Sequence, residues 1–128
     1  MAGSPTDRER FERKYRHNLE DIIRYGESVI NKLADVSLED FAPDDDLRDL
    51  VTYRVQCVSE AAKNLLTLDA EIVSRHPKIP WARVRGIGNR LRHEYGNVDA
   101  EVLWRAATGG DVRNLVAVAR EELKRLER

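Results

Sequence analysis

The apolar residues between Thr6 and Leu33 recur at steps of three and four, the spacing that lines one face of an α-helix. They are Phe11, Tyr15, Leu19, Ile22, Ile23, Ile30 and Leu33. We therefore expect one amphipathic helix of about eight turns in this region. Gly26 lies on the same face, where glycine costs roughly 1 kcal/mol of helix propensity relative to alanine. Its expected role is to let a second helix approach closely.

Five further helical patterns follow, one of them short, separated by turn residues. The segment "SLEDFAPDDD", residues 37–46, is expected to hold at most one helical turn because Pro43 interrupts it. A second long helix should run to about Leu66, and a short helix is predicted at 70–75. Pro77 and Pro80 then favour an extended link, since residues before proline avoid helical geometry. The remaining helices are expected at 81–94, after a cap at Asp99, and after the "TGGD" turn at 108–111.

Composition supports the same fold class. Hydrophobic residues make up 41% of the 128 residues and charged residues 35%, a balance that favours long amphipathic helices over sheet. We predict an all-α helical bundle of about five helices, forming one domain over residues 1–128. Cys57 lies in an apolar face and is expected to be a buried free thiol in a reducing compartment. The sequence shows neither a secretory signal nor a membrane-spanning run, so a cytoplasmic location without membrane contact is expected.

Positive charge is concentrated in one segment. Between Ile72 and His93 there is no Asp or Glu, whereas six arginines and lysines occur there, although the formal net charge of the whole chain is only −1. Such a segment can produce a local positive field that attracts phosphate, and RNA is the natural polyanion. The residues expected to bind RNA are Arg83, Arg85 and Arg92. The alternative is that these arginines pair with acidic residues of other helices.

His93 is the strongest candidate for chemistry. On a helix, Asn89 and Arg90 lie four and three residues before it and share its face, and Gly86 leaves room one turn earlier. Imidazole titrates near pH 6.5 and can move a proton at neutral pH, while a guanidinium stays charged and can bind a phosphate. Together they suit RNA cleavage in which the 2′-hydroxyl attacks its own phosphate, with no metal or cofactor. The alternative for His93 is a helix-end histidine that stabilises the helix dipole.

Other reaction classes find less support in the sequence. The acidic run at 44–46 lacks the alternating ligands and the glycine of a calcium loop, and it suits a helix start instead. Cys57 and the three histidines lack metal-ligand spacing, so no metal site is predicted. "GIG" at 86–88 lies within a predicted helix rather than after a strand, which disfavours a nucleotide-binding loop.

Two segments carry a family resemblance. "PWARVRGIGNRLRHEYGNVD" at 80–99 and "VSEAAKNL" at 58–65, together with the long first helix, resemble the HepT-like branch of the HEPN superfamily. The resemblance implies an up-and-down all-α bundle that forms a homodimer, with the arginine and histidine of the ribonuclease motif meeting at a cleft between protomers. It also implies a toxin role, with a minimal nucleotidyltransferase of the MntA type as antitoxin partner.

The family motif is an arginine, four residues, a histidine, one residue and a tyrosine. His93 and Tyr95 match the last two positions, but the first position is Gly88. Arg90 and Arg85 are the nearest replacements for the missing cation. The resemblance implies that Tyr95 is the residue to which the partner attaches AMP, and the alternative is a helix-end aromatic packed on its neighbour.

The sequence thus favours a metal-independent RNase toxin with His93, Arg90 and Asn89 as catalytic residues. A second reading is a catalytically degenerate HEPN module that binds a nucleotidyltransferase without cleaving RNA. A third is an RNA-binding adaptor that has no partner enzyme.

Overall fold

The computed structural model describes residues 3–94 and 97–127. Within these ranges it contains seven helices and no strand, and two of the helices are single turns of four residues. The helices are α1 (Asp7–Leu33), α2 (Leu38–Phe41), α3 (Asp45–Leu68), α4 (Ile72–Arg75), α5 (Trp81–His93), α6 (Ala100–Thr108) and α7 (Asp111–Leu126). The five longer helices confirm the predicted all-α bundle. Among the described residues, none of the helices is long and apolar enough to cross a membrane.

Helix α1 is the centre of the bundle and packs against both α3 and α7. It runs antiparallel to α3, because Asn18 near its start meets Asn64 and Ser28 near its end meets Arg54. Gly26 lies where α1 meets α7, and a Cβ atom built on it would be 2.5 Å from Val116 Cγ2. The predicted close approach of a second helix at Gly26 is therefore confirmed.

Local capping explains where most helices begin. Thr6, Ser37, Asp44 and Asp99 each accept a hydrogen bond from a backbone N–H of the helix that follows. Such side chains satisfy amide groups that have no partner within the helix. Asp44, the first residue of the acidic run, is thus the cap of α3. Between α6 and α7 the chain turns at Gly110, whose φ of 102° lies in the left-handed region that favours glycine.

The core consists of two clusters of buried apolar side chains, one towards each end of the bundle. One cluster includes Leu19 of α1 and Leu115 of α7, and the other includes Val29 of α1 and Leu103 of α6. Helix α5 contributes to both, with Trp81 in the first and Leu91 in the second. Helix α5 is thus held in the core at both ends and displays the remaining residues on its outer face.

Three details differ from the sequence-based expectations. Helix α3 continues to Leu68, two residues past the expected end, and α4 begins at Ile72. Cys57 is only half-buried, because its position on α3 lies at the edge of the buried face.

Candidate active site and nucleic-acid interface

Helix α5 carries most of the predicted site residues, and its buried face fixes their direction. Trp81, Val84, Gly88 and Leu91 point into the molecule. The Trp81 indole N–H donates to the carbonyl oxygen of His76 at 3.1 Å, which holds the start of the helix. The residues between these buried positions are therefore displayed on the surface.

Gly88, which occupies the arginine position of the motif, lies at the crossing of α5 and α3. A Cβ atom there would be 2.7 Å from the Cβ of Ser59 and would also collide with the Ser59 hydroxyl. That hydroxyl donates to the carbonyl oxygen of Val84 at 2.8 Å, so Ser59 is itself held in place. Position 88 thus faces α3, and an arginine there would force the two helices apart. The glycine has a packing role that the motif alone does not reveal.

His93 is the last residue of α5 and is exposed. Among residues 3–94 and 97–127, no hydrogen-bond partner of its imidazole is found. Arg92 turns towards α3, where its Nη1 donates to Glu60 at 3.2 Å and its Nη2 donates to the side-chain oxygen of Asn89. The side-chain oxygen of Asn89 is therefore bonded to Arg92 within the helix, and its catalytic role with His93 stays a prediction.

Arg83 and Arg90 lie on the other side of α5. Arg83 donates to both carboxylate oxygens of Asp111, at 2.8 and 2.9 Å, and these hydrogen bonds raise the pKa of its guanidinium. Arg90 donates to Glu94 at 2.9 Å. Both arginines line a cavity against α6 and α7. Arg92 and Arg90, which are neighbours in the predicted site, thus lie on opposite sides of the helix.

The acid-free segment is less positive than its sequence indicates. Four of its six cations, Arg75, Arg83, Arg90 and Arg92, form ion pairs with acidic residues, three of them with other helices or loops. The alternative given for this segment therefore holds for those four residues. Among the described residues, Arg85 and Lys78 have no acidic partner. Both are exposed and are the freest to meet an incoming phosphate.

Arg75 and His76 belong to a buried polar group that sequence reasoning did not find. Glu122 of α7 is 2% exposed and receives hydrogen bonds from Arg75 at 2.8 and 3.2 Å. His76 Nε2 lies 2.7 Å from the same carboxylate, and the Tyr15 hydroxyl, whose single proton Glu122 shares with Asp69, lies 3.1 Å from it. Arg75 and Tyr15 also bind Asp69. We call these five residues the Glu122 cluster.

The electrostatics of the Glu122 cluster favour the ionised carboxylate. Burial alone would raise the pKa of Glu122, but the hydrogen bonds from Arg75 and His76 lower it to about 2. Glu122 in turn raises the pKa of Arg75, and burial with the nearby carboxylates raises the pKa of Tyr15. The residues next to His76 in the sequence do not reveal its carboxylate partner. Its partner lies 46 residues further along the chain.

Tyr95, the predicted site of AMP attachment, lies outside the described residues. Its modification therefore stays a prediction. Within residues 3–94 and 97–127, no group of three or more histidine, cysteine or acidic side chains is arranged to hold a metal ion.

The model of the ribonuclease HepT-like family matches residues 13–122. The chain belongs to this family. It is 33% identical over 86 residues to a candidate RNase of Caldanaerobacter subterraneus subsp. tengcongensis, covering 67% of this chain and 74% of the relative. It is 30% identical over 93 residues to a probable ribonuclease HepT of Thermococcus cleftensis, covering 73% and 82%. No solved structure matches the chain at a significant level.

Proposed function

We propose that this protein is a metal-independent endoribonuclease and the toxin subunit of a HepT/MntA-type pair. The observation that carries the proposal is the exposed His93 at the end of helix α5, with Arg90 and Arg92 within one turn of it. Membership of the ribonuclease HepT-like family supports the choice of RNA as substrate.

In the proposed reaction the 2′ oxygen of a ribose forms a bond to the adjacent phosphorus, and the bond to the 5′ oxygen breaks. The leaving 5′ oxygen takes a proton from water, so the products are a 2′,3′-cyclic phosphate and a 5′-hydroxyl. His93 accepts the 2′ proton, because a neutral imidazole is a competent base near pH 7. Arg90 stabilises the charge on the phosphate oxygens, since its ion pair with Glu94 is exposed and can be replaced by a phosphate contact. A homodimer would bring a second α5 to the same cleft and supply further cations.

A second candidate function is supported by the packing of Gly88. Because this position is filled by the contact with Ser59, the cation of the motif cannot be restored by a side chain there without moving α5. A protein that has exchanged this cation for a helix contact could serve as a binding module for a nucleotidyltransferase. The two functions differ in whether the purified protein cleaves RNA.

Cleavage by the purified protein in the presence of a chelator tests the first function. We expect His93→Ala to lose a hundred- to ten-thousandfold in rate, as removal of a proton-transfer group typically does. His17→Ala is the matched control, because His17 is also an exposed helical histidine but lies on α1. Equal cleavage by both variants, with contaminating nucleases excluded, would remove His93 from the mechanism. Absence of cleavage by the wild type would favour the binding module.

The role of Arg90 can be tested against a matched ion pair. Arg90→Gln and Arg8→Gln each remove an arginine that is paired with a glutamate four residues later on the same helix. Only Arg90→Gln should lower the cleavage rate, by about a hundredfold if it supplies the missing cation. Equal rates for the two variants would exclude Arg90 as the catalytic cation.

The partner proposals have separate tests. A homodimer should have about twice the monomer mass of 14.7 kDa in light scattering at micromolar concentration, and the monomer mass would contradict it. Coexpression with an MntA-type nucleotidyltransferase should add the mass of AMP to the wild type but not to Tyr95→Phe. Modification of both proteins would place the acceptor elsewhere.

A further inference from the structure

A half-open cavity of about 540 Å³ lies between α3, α5, α6 and α7. Its volume is within the roughly 300–1,000 Å³ that is usual for sites of small ligands. The floor is aliphatic and receives side chains from all four helices. These are Val55 and Val58 of α3, Val84 and Ile87 of α5, Val102 of α6, and Val112 and Leu115 of α7.

Arginines outnumber acidic residues among the side chains that line the cavity. Three of the lining residues are arginines, namely Arg83 and Arg90 of α5 and Arg105 of α6, whereas the acidic lining residue is Asp111. Each arginine forms an ion pair, with Asp111, Glu94 and Glu101 respectively. Exposed pairs of this kind contribute roughly 0–1 kcal/mol, so an anionic ligand can replace the carboxylate. A ligand with one apolar body and one strong anionic group fits both features.

We propose that this cavity binds one nucleotide of the RNA, with its base on the aliphatic floor and a phosphate against the rim arginines. A flat base can lie among valine and leucine side chains, and guanidinium groups bind phosphate through two parallel N–H bonds. When a phosphate takes the place of Asp111 on Arg83, the released carboxylate becomes free to accept hydrogen bonds from the base. Bases with an exocyclic amino group should therefore bind better than uracil.

The position of Arg90 links the cavity to the proposed reaction. Arg90 lines the cavity and is also three residues before His93 on the same helix. A nucleotide held in the cavity would thus place a neighbouring phosphate of the strand near the end of α5. This inference rests on the proposed function for the identity of the polymer, but its test measures binding and not cleavage.

Binding is measured with the His93→Ala protein, so that RNA stays intact. The probes are AMP, CMP, GMP and UMP, the corresponding nucleosides, inorganic phosphate and a short single-stranded RNA. We expect AMP, CMP and GMP to bind more tightly than UMP, and each monophosphate to bind more tightly than its nucleoside or phosphate alone. Equal binding of phosphate and the monophosphates would overturn the proposal, because the floor would then contribute nothing.

Two variants and two matched controls locate the site. Arg105→Gln removes a rim cation and should raise the Kd of the monophosphates and of the RNA about tenfold, which corresponds to a lost charged hydrogen bond. Arg8→Gln removes an equivalent ion-paired arginine from α1 and should change neither Kd. Ala106→Phe fills the cavity from α6 and should raise the Kd at least tenfold, while Ala117→Phe adds the same ring at an exposed site on α7.

The possible results separate this inference from the proposed function. Unchanged affinity in both Arg105→Gln and Ala106→Phe would overturn the nucleotide site, even if wild type cleaves RNA. Loss of affinity in these variants would support the site, even if wild type does not cleave. If Ala106→Phe converts a dimer to a monomer in light scattering, the cavity is covered by a second copy and the proposal fails. If Ala106→Phe does not fold, as judged by circular dichroism, the exposed Arg105 variant decides the question.

Discussion

The Glu122 cluster and the arginines of α5 contain the same kind of ion pair in different surroundings. Arg75 approaches Glu122 to 2.8 Å, and Arg83 approaches Asp111 to the same distance. The side chains of Arg75 and Glu122 are 25% and 2% exposed, whereas those of Arg83 and Asp111 are 70% and 24% exposed. Loss of one partner in a buried pair leaves a charge without solvent, but loss of one partner at the surface leaves a hydrated charge.

This difference assigns separate roles to the two halves of the acid-free segment. Arg75 and His76 are committed to the Glu122 cluster, which ties α1, α4 and α7 together. The arginines of α5 have weak, replaceable partners and remain able to bind phosphate. The first half of the segment therefore supports the fold, and the second half is available for function.

The largest effect is expected for Glu122→Gln. This variant keeps the size of the side chain but leaves the Arg75 and His76 groups with a neutral partner in a buried position. We expect the free energy of unfolding to fall by about 3 kcal/mol or more. Glu60→Gln is the control, because it removes one partner of the exposed pair with Arg92 and should cost about 1 kcal/mol or less. Equal losses in urea denaturation would show that burial does not distinguish the two regions.

Low pH should weaken the Glu122 cluster. The folded-state pKa of Glu122 is about 2, below its usual value of 4.5, so its contribution is fully present above pH 4.5. It is lost as the pH falls from 4.5 towards 2, because protonation then favours the unfolded chain; the loss is about 3 kcal/mol. Denaturation at a series of pH values should show this slope in the wild type and a smaller one in Glu122→Gln. Identical slopes would mean that other carboxylates control acid unfolding.

Gly88→Ala should have an intermediate effect. The new methyl group would collide with Ser59, and such overpacking typically costs about 1–3 kcal/mol. Gly86→Ala is the control, because no atom lies within 4 Å of the corresponding position and alanine should stabilise the helix by about 0.5–1 kcal/mol. The double variant Gly88→Ala/Ser59→Gly should recover stability relative to Gly88→Ala. No recovery would show that the helix crossing is not limited by this pair.

The smallest effect on stability is expected for Arg92→Gln. Its pair with Glu60 is exposed, so the unfolding free energy should change by less than about 1 kcal/mol. RNA affinity at low salt should nevertheless fall. The slope of log affinity against log salt should decrease in magnitude by about one, as expected for the loss of one phosphate contact. Arg75→Gln should show the opposite result, with lower stability and an unchanged salt slope. A reduced slope in Arg75→Gln would mean that the Glu122 cluster also contacts RNA.

The helices were predictable because their signals are local. Capping residues such as Thr6 and Asp99 act on the next few amides, and apolar spacing repeats within one helix. The role of Gly26 was also predictable, since a glycine on an apolar helical face has few other uses. A close helix contact could have been predicted at Gly88 in the same way. The family motif instead marks this position as one where an arginine is missing.

The candidate site was predictable only in part. Sequence spacing placed Arg90 and Asn89 on the face of His93, but a three- or four-residue step does not say which neighbour each side chain contacts. The structure turns Arg92 towards α3, bonds Asn89 to Arg92 and places Arg90 at the cavity. These directions depend on acidic residues that other helices or turns supply.

By itself, the sequence determined the all-α class, the positions of the main helices and the family of the chain, because each depends on residues that are near one another or on a motif read in order. Only the tertiary structure decided which charged residues form buried pairs that stabilise the fold. Glu122 is 47 residues from Arg75, and Asp111 is 28 residues from Arg83. Whether such a pair is buried depends on how the helices pack, and burial sets the cost of an unpaired charge.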